Sequence, residues 1–489
     1  MSRLSGKLFL IVVLSAILYA LSFAGWTEDM RITERGYEIY PQIIARNDTL
    51  HVAWFQIAGD NLVSYMRSID GGETWGGVID LVEDNHRGVW PDLTLNGGRA
   101  MIGWFDVEPV YPNDQLPNIA FSISNRGDEW SMPEYVYDSE FEGPFITATT
   151  LSSDTIYVVY HARWSDSTGT KPIIFLYSPD LGASWSDPYT LGHAIIYLNS
   201  LIIAECGGSL FTVWTSVPVP ESTTFEAIVR VSHDGGFDWD DKIILSENGG
   251  RPAQRACLAC NRATGELAVG WMDYNYPGDL YIRITSDGGY TWEPQLHVTD
   301  HHAIASPDIE FVGDTLWAVW DDRSISRNPE LGFRKSVDRG QSWGPIERLT
   351  YAEGSSFDPW LSYDNGKLHL VWDDSRPPHG ASEIYYKRWE ADVGIDEGNK
   401  PKVSSLLTVY PNPFNSTTVM AYTDLEGGDI EIYNIAGQLV KELRVRGSQE
   451  GKITWDATDA AGEKVSSGIY FARATGIAGA QTIKLVYLK

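Results

Sequence analysis

Cysteine is scarce in this 489-residue chain, with Cys206, Cys257 and Cys260 its three copies. Cys257 and Cys260 resemble a C-x-x-C clamp, but they fall in an apparent strand. Residues three apart on a strand point to opposite faces, so the pair makes a poor bridge and a poor zinc site. Cys206 and Cys260 hold similar places in neighbouring repeats. They either pair or join Cys257 as buried thiols. Basic residues are also few: 37 Lys and Arg stand against 66 Asp and Glu, a net charge of −29. A surface that negative repels phosphate backbones and excludes a nucleic-acid partner. No phosphate loop, His-Glu-x-x-His pair or Ca²⁺-loop spacing occurs, so no cofactor and no metal is expected. Beyond residue 24 no apolar run is long enough to cross a bilayer.

Hydrophobic residues make up 43% of the chain, which excludes wholesale disorder. Aromatics reach 12%, with 19 Trp and 25 Tyr, beside 46 Gly. That mixture favours short strands and tight turns over helices. Residues 1–24 carry Arg3 and Lys7, then an apolar run from Leu8, then the small residues Ser22 and Ala24. This is the pattern of a secretory signal peptide, with a retained membrane anchor as the alternative.

One motif recurs through most of the remainder. It reads Ser68, Asp70, Gly72, Thr74, Trp75, and returns around Asp180 with Trp185, Asp234 with Trp239, Asp287 with Trp292, and Asp338 with Trp343. A worn copy ends at Trp130. The six tryptophans are 55, 55, 54, 53 and 51 residues apart. Such a stretch makes sense as a turn. The Asp carboxylate accepts nearby backbone N–H groups, Gly supplies a positive φ, and Trp leaves as an apolar plug with one N–H to satisfy. The repeated Asp residues are therefore structural. A second marker is an apolar strand ending in an aromatic: Trp54, Trp104, Tyr160, Trp214, Trp271, Trp320 and Trp372. Seven copies predict seven units.

The turn motif is the Asp-box, or BNR repeat, and residues 25–392 resemble the sialidase-like β-propellers that carry it. The resemblance implies an all-β propeller of four-stranded blades; the seven marker strands predict seven of them, where sialidases proper have six. The seventh unit lacks a box of its own. Trp26, Arg31 and Thr33 match Trp343, Arg348 and Thr350 in spacing, which places the N-terminal strand beside the last blade to close the ring.

Residues 393–404 read as a polar linker. Residues 405–489 then alternate through short period-two runs, as in a small immunoglobulin-like β-sandwich. Tyr410 to Asn415, Ile432 to Gln438, Trp455-Asp456 and Ser467 to Phe471 resemble the type A sorting domain of type IX secretion. That likeness implies export through the periplasm, an outer-membrane secretion partner, and a final place at the cell surface or in the medium. An ordinary accessory sandwich is the alternative.

Chemistry is expected at the propeller face opposite the turns, in the segments that follow the seven aromatic markers. Candidate ligand-binding residues there are Asp106, His161, Arg163, Arg251, Asp273, Asp322, Arg323, Asp374 and Arg376. Arginine forks suit carboxylates, and aspartates suit hydroxyls. A structural alternative is that Asp321-Asp322-Arg323 and Asp373-Asp374-Ser375-Arg376 each hold an internal ion pair. The family's sialidases use three arginines, a Tyr–Glu pair and an Asp. Here Glu38-Ile39-Tyr40-Pro41 puts Glu where the first Arg belongs, and no catalytic residue is assigned. The expected function is binding of a glycan or surface protein without catalysis. The alternative is a glycoside hydrolase, sialidase-like or acting on neutral polysaccharide through paired Asp.

Overall fold

A computed structural model describes residues 25–57, 61–82, 86–107, 118–136, 144–162, 170–194, 200–217, 224–247, 251–273, 278–299, 304–324, 326, 328–377, 380–390, 407–410, 414–423, 429–434, 438–444, 450–476 and 479–488. The expected signal segment, 1–24, and the expected linker, 393–404, lie outside them. The chain divides into two compact units, 1–393 and 394–489. No helix occurs among the described residues, so none there could cross a membrane.

The first unit is a seven-bladed β-propeller. Its inner strands are Glu38–Arg46, Arg87–Asn96, Pro144–Ser152, Leu201–Cys206, Ala253–Asn261, Ile304–Val312 and Ser356–Asp364, one for each of blades 1 to 7. Each pairs antiparallel with a second strand carrying an aromatic marker, then a third strand and a short outer one. The second strands read as near-continuous buried runs, as in Thr315–Asp322 and Lys367–Asp374. Sheets covered on both faces require that pattern. Trp54, Trp104, Trp214, Trp271, Trp320 and Trp372 are at most 1% exposed.

Polar side chains on the inner strands hold neighbouring blades together. Gln42 accepts the Leu93 N–H at 2.6 Å, Asp92 that of Thr149 at 2.5 Å, Asp308 that of Leu361 at 2.7 Å. Between blades 7 and 1, Ser362 Oγ accepts the Ala45 N–H at 2.9 Å. Buried backbone donors thus find partners across the blade boundary, where no strand pairing supplies one.

The repeated turns have the expected internal bonds. Ser68 Oγ lies 2.7 Å from Asp70 Oδ1 and accepts the Gly72 N–H at 2.9 Å. Asp70 accepts the Thr74 N–H at 2.9 Å and its hydroxyl at 2.6 Å. The turns of Asp180, Asp287 and Asp338 repeat that clasp. In the fourth blade Asp238 replaces the hydroxyl residue, and only its backbone N–H reaches Asp234, at 2.9 Å. The neighbouring hydroxyl and N–H donors hold Asp70, Asp287 and Asp338 down to about 2.

Each turn also locks onto the blade before it. Trp75 meets Tyr386 near-perpendicularly with ring centres 5.1 Å apart. Trp130 meets Tyr65 at 4.7 Å, and Trp239 meets Phe175 at 5.0 Å. Expectation and structure differ at the indole nitrogens. Those of Trp26, Trp75, Trp130, Trp239, Trp292 and Trp343 are buried with no hydrogen-bond acceptor among the described residues. Aromatic packing seats these side chains in place of a hydrogen bond.

The seventh blade takes its outer position from the N-terminal segment. Gly25 and Trp26 pair with Glu390 and Trp389, and Met30 and Arg31 with Tyr386 and Tyr385. Trp26 meets Phe333 of blade 6 at 5.6 Å and 85°, the contact the turn tryptophans make elsewhere.

Cys206 and Cys260 form a disulfide between the inner strands of blades 4 and 5. Cys257 is a free buried thiol on the other face of its strand, as the strand parity requires. The bridge closes a sequence separation of 54 residues. Loop entropy sets its contribution at about 4 kcal/mol. Replacing both cysteines by serine should lower stability by up to that amount in denaturant unfolding. An unchanged midpoint would show that blade packing alone fixes this joint.

The second unit has a three-stranded sheet, Leu407–Tyr410, Thr418–Thr423 and Glu450–Trp455. A four-stranded sheet joins Asp429–Asn434, Leu439–Arg444, Gly468–Gly476 and Gly479–Tyr487. Trp455, wholly buried, anchors a core with Phe414, Tyr470 and Tyr487.

Candidate functional site

Strand pairing separates the two ends of each blade. Inner strands begin where second strands finish: Gly88 lies opposite Asp106, Ala253 opposite Asp273, Ile304 opposite Asp322, Ser356 opposite Asp374. The turns sit at the other end, beside the first hairpins, as the bond from Gly71 N to Asp48 O shows. The candidate aspartates are thus at the turn-free end.

Their carboxylates are buried and held by their own blades. Asp106, Asp322 and Asp374 stand two residues after a marker tryptophan, on the same strand face. Each accepts that indole N–H, at 3.2, 3.1 and 3.1 Å. His86 Nδ1 lies 2.7 Å from Asp106. Asp273, in the equivalent place after Trp271, bonds Arg251 at 2.7 Å and the Asp279 N–H at 2.8 Å. Arg376 grips Asp374 with Nε at 2.9 Å and Nη2 at 2.7 Å, and Asp29 at 3.0 Å. The internal ion pair thus exists in blade 7. In blade 6 it is replaced: Asp322 is braced by the N–H and hydroxyl of Ser324, at 2.7 and 2.5 Å, and Arg323 is exposed. His161 is fully buried, and burial pushes its imidazole down to about 4, which keeps it neutral. Arg163 lies outside the described residues.

A different set of side chains converges at this end. The inner strands of blades 1, 2, 5, 6 and 7 each carry a bulge near their start. At each bulge a residue other than glycine takes a positive φ: Tyr40 at 53°, Trp90 at 52°, Arg255 at 50°, Ser306 at 39° and Asp358 at 47°. Such a conformation costs on the order of 1–3 kcal/mol per residue. Pro41, Pro91, Pro307 and Pro359 follow four of the five, and their missing N–H suits a break in the ladder.

Four of these side chains sense one another across blades. Ser306 Oγ donates to Asp358 Oδ1 at 2.5 Å. Arg255 Nη1 lies 3.4 Å from Ser306 Oγ and 3.9 Å from Asp358. Asp358 and Asp373 both raise the Tyr40 phenol, after burial. Behind them stand Asp321 and Asp373, 1% and 2% exposed. These are the first aspartates of the two Asp-Asp pairs and face away from the marker tryptophan. Burial, then the charge of Asp358, pushes Asp321 up to about 7 against Arg255 and Arg323. Burial, Asp358 and Asp321 raise Asp373, and burial raises Asp358 against Ser306 and Arg255. Asp321 Oδ1 and Asp373 Oδ1 have no hydrogen-bond partner among the described residues. No group of His, Cys, Asp or Glu there has the geometry to hold a metal ion.

Sequence reasoning named the second aspartate of each pair and passed over the first. It also passed over Arg255, Ser306 and Asp358. The recurring X-Pro step at the same place in four inner strands was a usable signal.

Elsewhere a cleft of about 570 Å³ lies between Trp26–Asp29 and Glu347–Ala352. Its cations are already engaged: Lys387 with Asp29 at 2.6 Å, Arg376 with Asp374, Arg348 with Glu330 at 2.7 Å.

Residues 408–488 match the family described as a secretion system C-terminal sorting domain. Comparison with curated proteins finds no match. Among solved structures, Trypanosoma rangeli sialidase bound to the inhibitor DANA is similar at 11% identity, over 94% of this chain and 87% of that one, with a TM-score of 0.45. The intramolecular trans-sialidase of Ruminococcus gnavus is similar at 14%, over 74% and 96%, with a TM-score of 0.42. A protein of unknown function from Dyadobacter fermentans is similar at 15%, over 63% and 96%, with a TM-score of 0.44.

Proposed function

We propose that this chain, exported to the cell surface or the medium by its type IX sorting domain, binds glycan at the axial mouth of its propeller. The sorting domain engages the secretion machinery, and the propeller is what it delivers. The observation that carries the binding reading is the convergence of Tyr40, Arg255, Ser306 and Asp358 at strained bulges of four blades. Strain of that kind persists only where the surroundings over-determine it, and it gathers at ligand sites. The side chains suit a sugar: donors and acceptors for hydroxyls beside aromatic surface. Tyr40, Trp90 and Trp360 on the inner strands are 36%, 43% and 37% exposed. The second aspartates of the pairs brace the same end through their indole bonds, with Arg376 on Asp374 and Ser324 on Asp322.

A glycan array probed with the mature protein tests this reading. Retention on a defined glycan class is expected, with Tyr40→Ala and Asp358→Asn each losing at least about tenfold in affinity, the scale of one or two lost contacts. An empty array, or full binding by both variants, would overturn it.

Hydrolysis is the second reading, favoured by Asp321. A carboxyl that keeps its proton to about 7 close to a second, more exposed carboxyl is the equipment of a glycosidase. It requires new reducing ends from a neutral polysaccharide, lost in Asp358→Asn.

A further inference from the structure

We propose that the axial mouth takes the protonated amine of an amino sugar, seated against Asp321, Asp358 and Asp373. This rests on the glycan reading above and narrows it to one class.

The argument begins with a shortage of positive charge. Three carboxyl groups lie together, from the second and inner strands of blades 6 and 7. Among the described residues the guanidinium within reach of the group is Arg255, 3.9 Å from Asp358 and already bonded to Ser306. Arg323 acts on Asp321 through its charge alone and is exposed. A buried carboxylate without a counter-charge is costly. Such a cluster keeps protons or takes a cation.

The hydrogen-bond inventory points the same way. Asp321 Oδ1 and Asp373 Oδ1 are buried acceptors with no donor among the described residues. Unfilled buried acceptors cost about 1–3 kcal/mol each, more when charged. A primary ammonium carries three N–H donors and one positive charge on a compact head. It answers both deficits at once: donors for the two orphaned oxygens, and charge for the three carboxyls. Asp358, its side chain 21% exposed, is the member at the rim.

Other sugars fit less well. A carboxylated sugar would bring a fourth negative charge to a mouth where Arg255, the arginine nearest Asp358 among the described residues, is already bonded to Ser306. An N-acetylated sugar brings a single amide donor and no charge. Entry of an ammonium should also expel protons, because burial, then the charge of Asp358, holds Asp321 up to about 7, and burial raises Asp358 and Asp373 as well.

The test is calorimetry of the mature protein with three probes at physiological salt: the glucosamine disaccharide, its N-acetylated counterpart and sialyllactose. The glucosamine disaccharide should bind at least about tenfold tighter than the acetylated one, and sialyllactose weakest. Its apparent enthalpy should vary with buffer ionisation heat, reporting proton release. Asp358→Asn should abolish the preference, and Asp314→Asn, an exposed hairpin residue, should keep it. Equal or tighter binding of the acetylated sugar would overturn this inference and leave the glycan reading standing. A preference that survives Asp358→Asn would reduce the effect to general attraction by an acidic protein and overturn it too. Binding of none of the three would overturn it, and an empty array besides would end the broader reading.

Discussion

The protein should melt about 10 °C lower at pH 8 than at pH 5, in the range set by several kcal/mol spread over a domain this large. The cause is a set of buried carboxyls whose folded-state values are raised. Burial pushes Glu38 up to about 7, Asp92 to about 6, Asp308 to about 7, Glu310 to about 8 and Asp321 to about 7. In the unfolded chain such groups titrate near 4. Between pH 4 and their folded values the native state binds more protons than the unfolded one, so stability falls as pH rises. The loss is complete once pH passes the folded values. Below pH 4 the sign reverses, because the turn aspartates near 2 bind fewer protons folded than unfolded. Their contribution is present above pH 4 and lost as pH drops toward 2. Stability should therefore peak near pH 4 to 5. Scanning calorimetry across pH 3 to 9 checks this, and a melting temperature that is flat or rises from pH 5 to 8 would contradict the assignment. Asp308→Asn, which keeps an acceptor for the Leu361 N–H, should flatten the alkaline slope.

Gly72→Ala should destabilise the propeller by about 3 kcal/mol, from left-handed strain near 1 and overpacking of 1–3. Gly72 has φ 89°, and a Cβ there would lie 2.2 Å from the Tyr386 hydroxyl. That tyrosine belongs to blade 7, so the substitution strikes the joint between the last blade and the first. The matched control is Gly366→Ala. Its φ is 83°, almost the same, but a Cβ there meets nothing within 4 Å. It should cost about 1 kcal/mol. The difference between the two variants in denaturant unfolding isolates the close approach from the backbone strain. Equal losses would mean that the turn glycine serves φ alone.

That contrast bears on what the sequence could teach. The turn motif was legible because its parts act within eight residues, and the clasp around Asp70 follows from local bonding. The blade count was legible because the marker strand repeats. The close approach of Gly72 to Tyr386 was not, since the two residues are more than 300 positions apart and only packing joins them. The choice of aspartates has a simpler reason. Asp322 and Asp374 were favoured over Asp321 and Asp373, although strand alternation alone puts the first of each pair on the face away from its tryptophan. The second aspartates met the indole N–H and became structural acceptors. The convergence of Arg255, Ser306 and Asp358 depended on three bulges turning side chains out of register, which strand periodicity does not encode. The Cys206–Cys260 bridge was one of two alternatives, and spatial proximity between adjacent inner strands decided it.

Trp26 has a consequence for the order of events during synthesis. It occupies the place that a turn tryptophan fills in other blades, yet it is made near the beginning, and its strand partners are made hundreds of residues later. The Thr33–Glu383 bond, 350 residues apart, belongs to the same seam. Contacts with that separation carry the largest closure entropy and form last. A nascent chain can assemble its early sheets but keeps an open hydrogen-bonding edge until residue 390 has emerged. That delay leaves the ring unlatched until the whole repeat array is available, which is a hazard to a chain that stalls part-made.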